Sequence, residues 1–349
     1  GGAQRVMVNL ANGFAERGFQ VDLVLVKAEG TYLPLVSNAV QLVDLNCSRI
    51  LASLPSLISY LKTEKPKAVL STQEGTNIIL LVARTLIKVQ FKVIVRPTNN
   101  IAIASQSNDL RVRLMPLLMR WSYTWADGIV SVSKDLKEQI IQVTGVTEDK
   151  IHTIPNPAIT KDITRAEETL EHPWFQPNEP PVILGVGRLT PQKDFSTLIR
   201  AFAEVRYKQK ARLVILGEGE ERSKLESLTK ELGIETEVSF PGFTDNPFQY
   251  MKRASVFVLS SRWEGMPNAL LQAMACGTPV ISTDCPTGPA EILENGKWGL
   301  LVSVGNIKEI SSAIIEALKG QALCPSQEYL KSVFGIDMII NKYITVLIE

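Results

Sequence analysis

Short, nearly continuous apolar runs, separated by stretches of helical periodicity, set the tightest limit on what this chain can fold into. They are Val21 to Val26, Ala68 to Ser71, Lys92 to Arg96 and Ile129 to Val132 in the first half. The second half has Val182 to Val186, Arg212 to Leu216, Glu237 to Phe240, Val256 to Leu259, Pro279 to Ser282 and Leu300 to Val302. A strand that is apolar on both sides must be covered on both faces, and intervening helices of about 10–15 residues supply that cover. The pattern therefore predicts parallel, doubly wound α/β sheets. At 349 residues the chain exceeds what one hydrophobic core holds, so two such Rossmann-like domains are expected. Periodicity lapses and proline crowds between Pro155-Asn156-Pro157 and Pro180-Pro181, which places the domains at about 1–164 and 165–335.

Composition excludes several classes. No apolar run approaches the roughly 18–20 residues of a membrane span, and nothing reads as a signal peptide, so a soluble or peripheral protein of the cytoplasm is expected. Cys47, Cys276, Cys285 and Cys324 are scattered without the spacing of a zinc site or a disulfide frame, which fits reduced thiols. Residues 1–160 hold 17 Lys and Arg against 12 Asp and Glu, a balance of +5 within a chain of net charge +1. That excess suits either a phosphate-bearing partner or an anionic membrane surface, or is ordinary surface variation. The chain opens on Gly1-Gly2-Ala3-Gln4-Arg5 and runs directly into an amphipathic helix bearing Val6, Leu10 and Phe14. Because an α/β domain ordinarily begins with a strand, either a first strand is missing ahead of Gly1 or the glycines are a cloning remnant.

The segment Val256 to Glu291, VFVLSSRWEGMPNALLQAMACGTPVISTDCPTGPAE, holds the most chemistry. Gly265 and Pro267 interrupt it after the β-run, and Asn268 to Ala275 reads as a helix. The unpaired N–H groups and positive dipole end of such a helix face the carboxyl edge of the strand, where a phosphate can be held. A second loop, Gly185-Val186-Gly187-Arg188-Leu189-Thr190-Pro191-Gln192-Lys193-Asp194, also follows a strand. It fails as a dinucleotide fingerprint because Thr190 stands where the third glycine belongs. Arg188 and Lys193 either clasp a diphosphate, one as a planar fork and the other as a mobile point charge, or decorate a solvated turn. Gly217, in Leu216-Gly217-Glu218-Gly219-Glu220, allows close backbone approach to a ligand or simply turns the chain, and Phe243 either meets a base or packs. Ser261-Arg262-Trp263-Glu264 matches a capping box, but Gly265 and Pro267 put the helix start after the glutamate and leave its carboxylate for other work. Glu291, at the third position of a helix opened by Gly288 and Pro289, suits a cap better than a ligand.

These motifs, in the order GRLTPQKD, LGEGEERSKLESL, VSFPGF, ASVFVLSSRWEGMPNALLQAMACGTPVISTD and GPAEIL, resemble those of the family 4, or group 1, retaining glycosyltransferases of the GT-B fold. GGAQRVMVNLANGFAERGFQVDLV, IVSVSKDLKEQI and IHTIPNP extend the resemblance over nearly the whole chain. It implies two domains facing across a cleft, a nucleotide diphosphate sugar held mainly by the second, and an acceptor, glycan or lipid-linked, held mainly by the first. It also implies that a last helix, 336–349, packs back onto the first domain. Position by position, Arg188 and Lys193 would hold the diphosphate and its developing charge, and Glu264 the donor sugar's hydroxyls. Gly1, Gly2, Gly187, Gly217, Phe243, Gly265, Met266, Asn268 and Ala269 would line the donor site, without Pro267, which has no N–H. A UDP-sugar is expected first and GDP-mannose next. The donor is a substrate, so no cofactor, metal or nucleic acid is expected. A noncatalytic sugar-nucleotide-binding homologue and a sugar-nucleotide epimerase are the alternatives.

Two departures narrow the reading. The family's second glutamate is Gln272 here, which keeps an acceptor oxygen for the ribose and loses the charge. The histidine that many relatives carry after the strand matching Lys92 to Arg96 is replaced by Arg96-Pro97-Thr98-Asn99-Asn100. Without an imidazole base, the departing phosphate itself would take the acceptor's proton. Arg96, Asn99 and Asn100 either line the acceptor side or form a turn. Leu110 to Trp125 mixes Arg111, Arg113 and Arg120 with large apolar residues, either as a peripheral inner-membrane contact of the first domain or as a helix packed with its arginines outward, interrupted by Pro116.

Overall fold

The computed structural model describes residues 2–98, 101, 110–320 and 323–348. The chain forms two compact units, residues 1–157 with 333–349, and residues 158–332. The division falls at 157/158, where 164/165 was expected, because the turn Lys161–Glu167 packs as one piece on helix Phe248–Arg253 of the second unit, whose Arg253 donates to Ala166 O at 3.0 Å.

The second unit is one six-stranded parallel sheet built from β7 (Val182–Val186), β8 (Arg212–Leu216), β9 (Val238–Gly242), β10 (Val256–Leu259), β11 (Val280–Thr283) and β12 (Leu300–Val302). The strand order is β12-β11-β10-β7-β8-β9, with Val256 opposite Ile183 and Val182 opposite Arg212. All six runs anticipated from periodicity are strands. Strand β9 runs on through Pro241, and this proline is tolerated because β9 is an edge strand that need not offer every N–H to a ladder. Phe195, Leu198, Phe202 and Val205 of helix Phe195–Lys208 pack with Ile310 and Ile314 of helix Ile307–Leu318 over Ile183, Leu213, Ile215, Val256 and Val258. Each such buried side chain stabilises the unit by about 1.5–3 kcal/mol.

The first unit carries a two-stranded parallel sheet, β1 (Val21–Leu25) with β2 (Val40–Asp44), and a four-stranded parallel sheet. The latter runs β3 (Ala68–Thr72), β4 (Lys92–Arg96), β5 (Gly128–Ser131), β6 (Ile151–Thr153) in sequence order. β2 and β6 escape the apolar-run criterion for plain reasons. In β2 only Val40 is buried while Gln41, Leu42 and Asp44 are exposed, and β6 is three residues long with His152 exposed. The last helix, Ile336–Ile348, belongs to this unit. Its Ile340 occupies the space that a Cβ on Gly13 would need, Tyr343 meets Phe14 edge-on at 6.5 Å, and Asp337 pairs with Arg17 at 2.8 Å.

Candidate functional site

The strand order locates the site. From β7 the chain proceeds outward through β8 and β9, then returns to the other side of β7 and proceeds outward through β10, β11 and β12. The order therefore reverses between β7 and β10, and the loops that leave their carboxyl ends diverge to leave a crevice, the usual ligand position in open α/β sheets. Those two loops are the ones that carry Arg188, Lys193 and Glu264.

The loops are strapped together by contacts that a sequence reading does not contain. Arg262 N donates to Gln192 O at 2.8 Å, Gln192 Nε2 to Trp263 O at 2.9 Å, and Ser260 Oγ to Lys193 O at 2.8 Å. Arg262 Nε also pairs with the buried Asp194 at 3.0 Å. A third loop lies against the first: Gly217 has φ +138°, and a Cβ there would fall 1.8 Å from Gly187 O. Gly217 is thus needed for a close approach to the neighbouring loop. Gly288, at φ +92°, plays the matching part on the other side, where a Cβ would meet Gly265 O and Pro267 Cδ at 2.9 Å. Thr287 Oγ1 donates to Glu264 O on the same side.

At the centre, Lys193 Nζ stands 2.5 Å from Glu264 Oε1, and Ser261 Oγ donates to the same oxygen at 2.6 Å. Both partners are largely shielded, with side-chain exposures of 17% and 8%. The Ser261–Glu264 pair is therefore no capping box: the next helix starts at Asn268, and the carboxylate engages the ammonium instead. Arg188 is exposed and makes no ion pair with any described residue. Helix Asn268–Ala275 begins just beyond Glu264, with Gly265 and Met266 buried and Asn268 and Ala269 half-buried at its entrance. Gln272 lies one turn further along, half-buried, with no side-chain hydrogen bond to a described residue. Below them, burial and then the Glu264 charge push the Cys285 thiol up to about 12, which keeps it protonated and unreactive at neutral pH. Chemically the crevice offers one free guanidinium, one exchangeable ammonium and a helix start, three groups suited to a polyanion, beside a carboxylate and an amide suited to hydroxyls.

The remaining expected residues fall as follows. Phe243 is half exposed after β9, and Gly187 lies under the Lys193 stem, where a Cβ would meet Lys193 Cε at 3.1 Å. Gly2 opens helix Gly2–Glu16 in the first unit. Gly1, Asn99 and Asn100 lie outside the described residues. Arg96 is no surface contact: it is 1% exposed, and its guanidinium donates to Thr72 Oγ1 at 2.9 Å and to Asn156 Oδ1. As the last residue of β4 it points into the core beneath the terminal helix, where burial pushes the Tyr343 hydroxyl up and the Arg96 charge beside it offsets part of that rise. Sequence reasoning missed Ser261 as a partner of Glu264, and missed Gln192, Asp194 and Arg262 as straps. The only local signal for Ser261 was the S-x-x-E spacing. Among the described residues, no group of three or more His, Cys, Asp and Glu is gathered as a metal site would require.

Known proteins resemble this chain in sequence and in fold. The family described as glycosyl transferases group 1 matches residues 167–332, and that described as glycosyltransferase family 4 matches residues 1–161. Over 230 residues the chain is 32% identical to the N-acetylgalactosamine-N,N'-diacetylbacillosaminyl-diphospho-undecaprenol 4-alpha-N-acetylgalactosaminyltransferase of Campylobacter jejuni, a match covering 66% of this chain and 61% of that one. It is 27% identical to the lipopolysaccharide core biosynthesis glycosyltransferase LpsE of Rhizobium meliloti, over 99% of this chain and 96% of that one. In two matches above 30% identity the chain spans about three fifths of its relatives' length, 62% and 61%. Among solved structures, Anabaena HepE in complex with UDP and glucose superposes with a TM-score of 0.79 at 19% identity, over 99% of this chain and 96% of that one, which is a likeness of fold.

Proposed function

Because the chain belongs to the group 1, family 4 glycosyltransferases of the GT-B fold, we propose that it moves a sugar from a nucleoside diphosphate sugar to a glycan or lipid-linked acceptor, with retention at the anomeric carbon. The observation that carries the reading is the convergence of Arg188, Lys193 and Glu264 at the crevice between β7 and β10, beside the start of helix Asn268–Ala275. The acceptor class follows the relatives' names, one containing a diphospho-undecaprenol glycan and another the lipopolysaccharide core. A UDP-sugar is favoured as donor, with GDP-mannose next.

In the proposed reaction the bond between the donor's anomeric carbon and its diphosphate oxygen breaks, while the acceptor oxygen bonds to that carbon on the same face. The acceptor's proton passes to the departing phosphate. Arg188 and Lys193 hold the charge that grows on the leaving group, a contribution of about 3–4 kcal/mol for one well-placed donor. A diphosphate that draws Lys193 away from Glu264 frees the carboxylate for the donor's hydroxyls, so one binding event sets both groups. Gln272 takes the ribose as a neutral partner. The step is proposed to need no metal ion, and we assign the protein to the cytoplasm or the cytoplasmic face of the membrane. No helix of the described residues is long and apolar enough to cross one.

A thermal-shift panel of UDP, GDP, ADP and their sugars, with and without EDTA, tests the reading. The cognate nucleotide at a hundredfold excess over its Kd should stabilise the protein by about 2.7 kcal/mol. Arg188→Ala and Lys193→Ala should respond weakly or not at all. Absence of any nucleotide response in the wild type, or an undiminished response in both variants, sinks the diphosphate assignment. Binding without transfer to lipid-linked or lipopolysaccharide acceptors leaves the noncatalytic alternative.

A further inference from the structure

Thr287 holds a backbone conformation that a threonine ordinarily avoids. At φ +66° it is the one β-branched residue on the left-handed side among the described residues, where Asn46, Asn178, Asp194 and Asn295 are of the types that reach it readily. A glycine takes such a conformation without strain, as the next residue, Gly288, does at φ +92°. What threonine adds is a hydroxyl, buried at 3% exposure, whose Oγ1 donates to Glu264 O. Glu264 N donates in turn to Pro286 O at 3.4 Å. Both backbone polar groups of Glu264 are therefore closed by two consecutive residues of the loop that follows β11. Glu264 is itself 6% exposed, so water does not readily replace the hydroxyl at its carbonyl. Backbone strain kept at a buried residue marks a place where the surrounding structure makes use of it.

We propose that Thr287 is a positioning residue for the donor sugar, an inference that rests on the donor assignment: its strained backbone delivers a hydroxyl that fixes the main chain of Glu264, and with it the carboxylate that meets the sugar's hydroxyls. The partners of the carboxylate do not secure that position by themselves. Lys193 Nζ, at 2.5 Å, is the partner that a diphosphate draws away, which leaves Ser261 Oγ at 2.6 Å. Ser261 lies three residues before Glu264 on the same loop, so its bond steadies the carboxylate from one side and does not hold the main chain of Glu264. Thr287 reaches that main chain from the neighbouring loop, 23 residues further along the sequence. The diphosphate falls to Arg188 and Lys193, neither of which has a hydrogen bond to Thr287. Loss of the Thr287 hydroxyl therefore acts on the sugar and spares the nucleotide, which separates this role from a general part in stability.

The test is calorimetric titration of the full chain with UDP against UDP-glucose, UDP-galactose and UDP-N-acetylglucosamine, and with GDP against GDP-mannose. Thr287→Val keeps the branched shape and removes the hydroxyl. It should weaken the nucleotide sugar about tenfold while the bare nucleotide stays within about twofold of wild type. Thr287→Ser, which keeps the hydroxyl, should restore the wild-type ratio of sugar-nucleotide to nucleotide affinity. Thr287→Gly takes φ +66° without strain and should show the same selective loss, so the prediction stands even where Thr287→Val fails to fold. An unchanged ratio in the hydroxyl-free variants overturns the inference and leaves the donor assignment intact. A Thr287→Ser protein that loses as much as Thr287→Val overturns it too, since the hydroxyl would then not be the working group. A wild type that binds none of these nucleotides overturns the donor assignment and this inference with it.

Discussion

Arg96 and Lys193 invite comparison, since each is a basic residue at or just past the carboxyl end of a central strand in a parallel sheet. Lys193 sits in the loop after β7, where the strand order reverses, and its ammonium meets a carboxylate that faces the crevice. Arg96 closes β4 in a sheet whose order does not reverse, and its guanidinium turns inward beneath the terminal helix. Among the described residues its partners there are neutral, Thr72, Asn156 and Tyr343, and its Nε has none. A charge buried without a counter-charge is costly to keep and costlier to disturb, because truncation strands the groups that accept from it. A charge held by an exchangeable partner at a crevice is available to a ligand. The same residue chemistry is therefore structural at one sheet edge and functional at the other.

The contrast is sharpest when the two are removed. Lys193→Ala should lower kcat about 10²–10³-fold while the protein still folds, whereas Arg96→Ala should lower stability by about 2–4 kcal/mol, or about 5–10 °C in Tm, with turnover per folded molecule kept. Steady-state kinetics corrected for the folded fraction decide it, and a catalytic collapse in Arg96→Ala at unchanged Tm would erase the distinction. Ser261 lies between the extremes as a positioning residue that holds Glu264 from below. For Ser261→Ala we expect about a tenfold loss in kcat/KM for the donor, with acceptor KM unchanged; a shift in Tm alone would make the bond merely structural. The mildest effect is expected at Gln272, where Gln272→Glu should tighten donor binding about fivefold by calorimetry. Unchanged or weaker affinity would remove Gln272 from the ribose.

Legibility differed between the units for physical reasons. Every strand of the second unit was visible, since each carries a short apolar run, and β7, β8, β10 and β11 are buried along nearly their whole length. In the first unit β2 and β6 were not, because one is mostly solvated and the other is too short to show a period. The helix start at Asn268 was visible from Gly265 and Pro267. Helix Leu110–Ser122 was legible only as an ambiguity, since an apolar-rich helix does not say which of its faces the core will take, and here Leu114, Leu117, Leu118 and Trp121 stay exposed.

Local chemistry thus decided a good deal in advance: which segments become strands, where loops break, and which loops carry cations, acid and amide, because these follow from periodicity and backbone preference within a few residues. Strand order is a property of the whole sheet, and it alone makes β7 and β10 neighbours and brings Lys193 within 2.5 Å of a glutamate 71 residues away. The inward turn of Arg96 and the membership of helix Ile336–Ile348 in the first unit are of the same kind. Each depends on which distant surface arrives to cover a side chain, and no short stretch of sequence contains that information.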